Sequence, residues 1–223
     1  MTNLQQRLRE TLDELPKHVQ LVAVSKFHPA EAVTEAYAEG QRVFGESRVQ
    51  ELLPKHDALP GDIEWHFIGT LQRNKVKYIA PFVSLIHSVD NVTLLEEINK
   101  QGRRADRTIR CLLELHIAQE ESKSGWEPEA CCQWLEQGAW HDMHNVQICG
   151  LMCMASHTDD EARIRQDFRA ARQYFNRLKQ GAMSDNPAFA IRSWGMSDDW
   201  RIAVEEGSNM VRIGTRIFGE RAY

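Results

Sequence analysis

Ser193-Trp194-Gly195-Met196-Ser197-Asp198-Asp199 and, one helix later, Met210-Val211-Arg212-Ile213-Gly214-Thr215 are the stretches on which the fold turns. Each puts small, amide-rich residues where an apolar strand gives way to a helix. Such strand ends offer backbone N–H groups and the positive end of a helix dipole, which together make an anion site. Two of them in succession, closing an alternating strand–helix chain, are where a (β/α)8 barrel holds a phosphate.

Working back from the tail, the chain reads as eight short apolar runs, each leading into a segment of helical period. The runs are Leu21–Ser25, Arg42–Gly45, Trp65–Gly69, Leu85–Val89, Ile109–Ile117, Gln147–Met154, Phe189–Ser193 and Met210–Gly214. Leu21-Val22-Ala23-Val24 is continuously apolar rather than alternating, as expected of a parallel strand buried on both faces. The helical segments include Pro29–Glu39, Ser47–His56, Gln72–Ala80, Val92–Gln101, Pro128–Gln137, Asp159–Gln180 and Asp198–Glu206. Strict β-then-α alternation with short links and right-handed crossovers leaves an open doubly wound sheet or a closed barrel. No Gly-x-Gly-x-x-Gly follows the first strand, and eight units favour closure. The expected fold is therefore α/β, a single (β/α)8 barrel over residues 1–223. Asn3–Leu15 is an extra N-terminal helix packed outside it.

Composition fits one such domain. The 223 residues are 42% hydrophobic and 26% charged, and the net charge of −5 gives no electrostatic case for a nucleic-acid or membrane-surface protein. Met1 to Pro16 is polar and amphipathic, without the apolar run of a signal peptide, and no segment is apolar for long enough to span a bilayer. The five cysteines follow no disulfide or zinc spacing and read as small buried hydrophobes in a reducing compartment. The expected location is the cytoplasm.

Lys26 directly follows the first apolar strand, at the end where barrel active sites are built. It is either a solvated lysine at the rim or an amine whose lowered pKa makes it a nucleophile toward carbonyls. Strands one and eight are neighbours in a closed barrel, so the amine would lie beside the phosphate site. That is the layout pyridoxal phosphate requires. Other candidates are weaker. His141-x-x-His144 puts two imidazoles on one helical face but suggests no further ligand, so no metal is expected. His66, inside an apolar strand, is a hydrogen-bonded core histidine before it is a catalyst. Arg73, Lys75 and Lys77 form a solvated helix start.

The chain also resembles a known family. The segments that carry the likeness include Ala23-Val24-Ser25-Lys26, Phe44-Gly45-Glu46, Trp65-His66-Phe67-Ile68-Gly69, Ser122-Lys123-Ser124-Gly125 and Gly150-Leu151-Met152. Gly195-Met196-Ser197-Asp198-Asp199 and Val211-Arg212-Ile213-Gly214-Thr215 complete them. In this order the chain is similar to the YggS/PROSC family of pyridoxal phosphate homeostasis proteins. These share their barrel, of the fold type III class of pyridoxal phosphate proteins, with the N-terminal domain of alanine racemases. The likeness runs from about Leu21 to the C-terminus. It implies that Lys26 forms a Schiff base with the cofactor and that Ser197, Gly214 and Thr215 hold its phosphate. By likeness to the racemases, Arg212 would face the pyridine nitrogen; the residue alone reads equally as a partner of Glu220. Lys123 resembles the racemases' substrate-side basic residue. Two positions depart from the family: Ser47 stands where an asparagine is usual, and Trp194 where a smaller residue is usual. Trp194 covers the phosphate loop or fills the barrel exterior.

The resemblance implies a protein that stores, delivers or buffers pyridoxal 5′-phosphate, with apo pyridoxal phosphate enzymes as its expected acceptors and a monomer as its expected state. No catalytic residue is assigned. A pyridoxal phosphate-dependent racemase is the alternative, set back because the chain ends just after the eighth unit, without the second domain that racemases use. A lysine-dependent aldolase acting on a phosphorylated sugar fits the lysine and the phosphate site without the family likeness.

Overall fold

The parallel pairing of the first strand with the last shapes the molecule. In the computed structural model, which describes residues 2–119 and 124–220, α1 (Asn3–Glu14) precedes β1 (Gln20–Val24). Then follow α2 (Ala30–Ala38), β2 (Val43–Glu46), α3 (Val49–Ala58), β3 (Glu64–Phe67), α4 (Arg73–Ile79), β4 (Leu85–Val89) and α5 (Val92–Arg104). The second half continues with β5 (Ile109–Leu115), α6 (Pro128–Glu136), a single 3₁₀ turn (Ala139–Asp142), β6 (Val146–Cys153) and α7 (Glu161–Gln180). It ends with β7 (Ile191–Ser193), α8 (Trp200–Glu205), β8 (Met210–Ile213) and α9 (Thr215–Phe218). The strands form a closed parallel barrel in sequence order, β1 to β8. The register Val22↔Arg212 and Ala23↔Ile213 brings the residues after β1 beside those after β8.

Alternation within each strand divides the core in two. Val22, Val43, Leu85, Leu112, Cys149, Met152 and Met210 pack inside the barrel. Leu21, Ala23, Phe44, Trp65, Phe67 and Ile86 belong to the larger layer between sheet and helices. Trp194 is fully buried in that outer layer, so it fills the barrel exterior rather than capping the phosphate loop. The extra helix α1, started by a Thr2/Gln5 capping box, packs against α9 and α2, and Arg7 Nε donates to the Ile217 carbonyl at 2.8 Å. Among the described residues no helix is long and apolar enough to cross a membrane.

Strands and helices agree with the sequence expectations to within a few residues, with two informative differences. The pair His141/His144 shares no helical face, because the 3₁₀ turn ends at Asp142 and His144 lies beyond it. Strand β6 is not uniform. Its register on β5 passes from Cys111↔Ile148 to Leu112↔Gly150, a bulge that reverses the inward–outward alternation. Cys149 therefore faces the inner cluster and Cys153 the outer, although residues four apart on a regular strand share a face. Gly150 makes the bulge possible: its φ is 152°, and a Cβ there would lie 1.9 Å from the Ile191 carbonyl oxygen of β7. Gly150→Ala is expected to cost about 3 kcal/mol or more by forcing β6 and β7 apart. Urea denaturation measures this directly, and a loss below about 1 kcal/mol would show that the bulge yields cheaply.

Candidate functional site

Lys26 leaves the barrel at the end of β1, where the apolar run gives way to polar backbone. It lines a small cavity, about 20 Å³, with Val24, His28, Gly214, Thr215 and Gly219. This cavity sits on the seam between β1 and β8. The stacked rings of His28 and Phe218, 5.3 Å between centroids, tie the β1 loop to α9 beside it. A Cβ on Gly214 would meet the Val24 carbonyl oxygen at 3.1 Å and the Val24 Cβ at 3.3 Å, so a side chain here would push the turn a few tenths of an ångström away from β1. Gly214 also caps α9 without any side-chain hydrogen bond to the turn. Its own N–H donates to Ser197 Oγ at 3.3 Å, which brings the loop after β7 to the same corner. The left-handed Gly195, φ 97°, makes the sharp exit from β7 that this requires, and a Cβ there would lie 2.7 Å from that of Ala203.

Arg212 sits below this corner inside the barrel, on the inward face it shares with Gly214. Its NH1 donates to the Ser193 carbonyl at 2.6 Å and to Ser193 Oγ at 2.8 Å; NH2 donates to the Cys153 carbonyl at 3.0 Å. Burial lowers its pKa from the usual value, and the nearby Cys153, Asp199 and Glu114 oppose that shift. The chain of contacts continues inward. His87 Nδ1 lies 3.0 Å from Ser193 Oγ, and His87 Nε2 lies 3.0 Å from His66 Nδ1. Arginine only donates, so Ser193 Oγ accepts from Arg212. His87 Nε2 and His66 Nδ1 share a single hydrogen between them, and His66 Nε2 has no partner in the protein. Burial, with the charge of Arg110, pushes His66 down to about 3. Burial, the His66 neighbour and Arg212 push His87 well below its ordinary value. Both imidazoles are thus neutral near pH 7, and Arg212 carries the positive charge of this polar chain.

Lys26, Gly214 and Thr215 thus meet at one cavity, Ser197 joins them through Gly214, and Arg212 stands beneath. Ser47 is elsewhere: it lines a neighbouring groove with Arg48, Thr70 and Gln72 at the ends of β2 and β3. Arg73, at the start of α4, and Lys77, in its last turn, are both exposed. Lys123 lies outside the described residues. Reading the sequence missed His87 and Ser193. A histidine at the centre of the apolar β4 and a serine ending β7 were the available signals, but nothing local to either strand joins them to Arg212.

Residues 1–222 match the family described as alanine racemase, N-terminal domain. The pyridoxal phosphate homeostasis protein of Aquifex aeolicus is 41% identical over 205 residues, 92% of this chain and 88% of that protein. PipY of Synechococcus elongatus, solved without PLP, superposes with a TM-score of 0.91 at 37% identity, covering 97% of this chain and 100% of that one. The same protein with PLP bound superposes at 0.88, with the same identity and coverage. Alanine racemase of Streptomyces coelicolor shares the fold, with a TM-score of 0.78 at 19% identity over 97% of this chain and 57% of that one.

The two buried histidines make stability acid-sensitive. Between the folded value near 3 for His66 and the ordinary 6.5, the unfolded chain binds more protons than the folded one. Stability is therefore complete above 6.5 and is lost as the pH falls toward 3. The slope is on the order of 1.4 kcal/mol per pH unit for each histidine. Urea midpoints should fall steadily below about pH 6, and the fall should be shallower in His66→Asn. An equal slope in parent and variant would rule out His66 as a source.

Proposed function

The chain belongs to the family of pyridoxal phosphate homeostasis proteins, and from that premise we propose that it holds the cofactor at the seam of β1 and β8, through Lys26. It binds pyridoxal 5′-phosphate and takes part in its homeostasis, the activity for which its relatives are named. The observation that supports this placement is the convergence of Lys26, Gly214 and Thr215 on one cavity, with Ser197 bonded to the Gly214 N–H.

The residues present suit the group. Pyridoxal phosphate, when bound, supplies an aldehyde that condenses with a neutral amine, releasing water, and a phosphate that needs several donors. Lys26 is the amine at the cavity. The Ser197 and Thr215 hydroxyls and the backbone of the uncapped Gly214 turn are the donors for the phosphate. Arg212, held by the Ser193 and Cys153 carbonyls, has no lone pair to give. A ring nitrogen facing it stays unprotonated, which leaves little support for a carbanion. This favours holding and releasing the cofactor over racemising amino acids. The protein is read as one domain over residues 1–223, a cytoplasmic monomer that passes cofactor to apo-enzymes; gel filtration and a transfer assay with an apo-enzyme test the last two points.

Lys26→Ala is expected to lose the covalent cofactor and stay folded. Borohydride reduction of the parent, followed by peptide mass mapping, should find the pyridoxyl group on Lys26; finding it on Lys75 or Lys123 would sink the placement. Ser197→Ala and Thr215→Val should each weaken retention by roughly 1.5–3 kcal/mol while backbone donors remain. Loaded protein incubated with L-alanine should leave the optical rotation unchanged. Turnover on the order of 1 per second would move the reading to the racemase alternative.

A further inference from the structure

Three side chains of the second β/α unit grip the chain on both sides of Lys26. On the strand side, Lys55 Nζ donates to the Ser25 carbonyl at 2.9 Å and to Glu46 Oε1 at 2.6 Å. Ser25 Oγ donates to that same carboxylate oxygen at 2.6 Å, and the Ser25 N–H is taken by the Gly45 carbonyl at 3.1 Å. Ser25 is thus held at its amide, its carbonyl and its hydroxyl. On the loop side, the Phe27 N–H donates to Glu51 Oε2 at 2.8 Å, and the Arg48 guanidinium lies 4.8 Å from the centre of the Phe27 ring.

Two features of this arrangement are costly for stability alone. Glu46 and Lys55 are an ion pair with side-chain exposures of 0% and 8%. Glu46 Oε2 has no partner in the protein. A buried pair of this kind is typically no more stabilising than apolar residues of the same volume. Phe27 has φ 66°, a left-handed conformation that disfavours a residue with a side chain. Strain of this kind persists only where its surroundings over-determine it. The residue between the ion pair and the strained phenylalanine is Lys26.

We propose that Glu46, Lys55 and Glu51 form a clamp on Ser25 and Phe27 that positions Lys26, fixing where its amine enters the cavity at Gly214 and Thr215. These three are positioning residues: none lines the cavity, and each acts through the backbone or hydroxyl of a neighbour of Lys26. The inference rests on Lys26 being the cofactor lysine. Held this way, the amine starts near its attacking geometry rather than searching for it.

The test compares parent apoprotein with Glu51→Ala, Glu51→Gln and the double variant Glu46→Gln/Lys55→Met. Each is mixed with pyridoxal phosphate and, separately, with pyridoxal. The rate of rise of the visible band is followed, the product is fixed with borohydride and mapped, and the thermal midpoint of each apoprotein is recorded. Glu51→Ala should slow the Lys26-linked band on the order of 10-fold with both aldehydes, because the clamp acts on the amine and not on the phosphate. Glu51→Gln keeps an oxygen that accepts from the Phe27 N–H and should restore the rate. The double variant removes both buried charges together and should melt as a folded protein while also reacting slowly. Parent rates in Glu51→Ala or in the double variant would overturn the clamp. So would a slowing confined to pyridoxal phosphate, or a glutamine as slow as the alanine. If the parent itself were labelled away from Lys26, the cofactor placement would fail first and the clamp would lose its purpose with it. Labelling at Lys26 with unchanged variant rates would overturn the clamp alone.

Discussion

Closure of the sheet by the pairing of β1 with β8 is the constraint on which the rest depends. The register Val22↔Arg212 sets the residues that follow each strand side by side, so that Lys26 meets Gly214 and Thr215 although nearly the whole chain separates them. Without closure, the lysine and the Gly214 turn would be two unrelated strand ends. The same closure allows a polar interior. Ser193 on β7 reaches both Arg212 on β8 and His87 on β4 because they face one enclosed space. In that space a charge is tolerated only with its donors satisfied.

The interior chemistry is correspondingly lopsided. The guanidinium is spent on the Ser193 and Cys153 carbonyls and on one hydroxyl, while the two imidazoles behind it stay neutral. A positive donor that keeps its proton is thus backed by two groups that carry no charge near pH 7.

How much was legible in the sequence follows from the range of each interaction. Continuous apolar runs such as Leu21 to Val24 announce buried parallel strands, because the signal is local. The strand-end glycines and Lys26 were readable for the same reason: each is marked by its own neighbours in the chain. What could not be read lies in contacts between strands. The β6 bulge depends on the Ile191 carbonyl of β7 pressing where a Cβ at Gly150 would be, and nothing in Gly150-Leu151-Met152 alone states that. His66 and His87 look like isolated core histidines until β3 and β4 pair. The His141/His144 pairing failed for the opposite reason. Spacing supplied a helix face, but the local chain makes only one 3₁₀ turn.

The packing of α1 against α9 has a consequence in time. Helix α1 rests on α9, and β1 pairs with β8. On a ribosome, which releases the chain from its N-terminus, β1 waits with one edge unpaired until β8 emerges, an edge exposed to other chains in the meantime. The corner where Lys26 meets Thr215 is then the final piece of the barrel to assemble. A nascent chain cannot form that corner before its own barrel has closed.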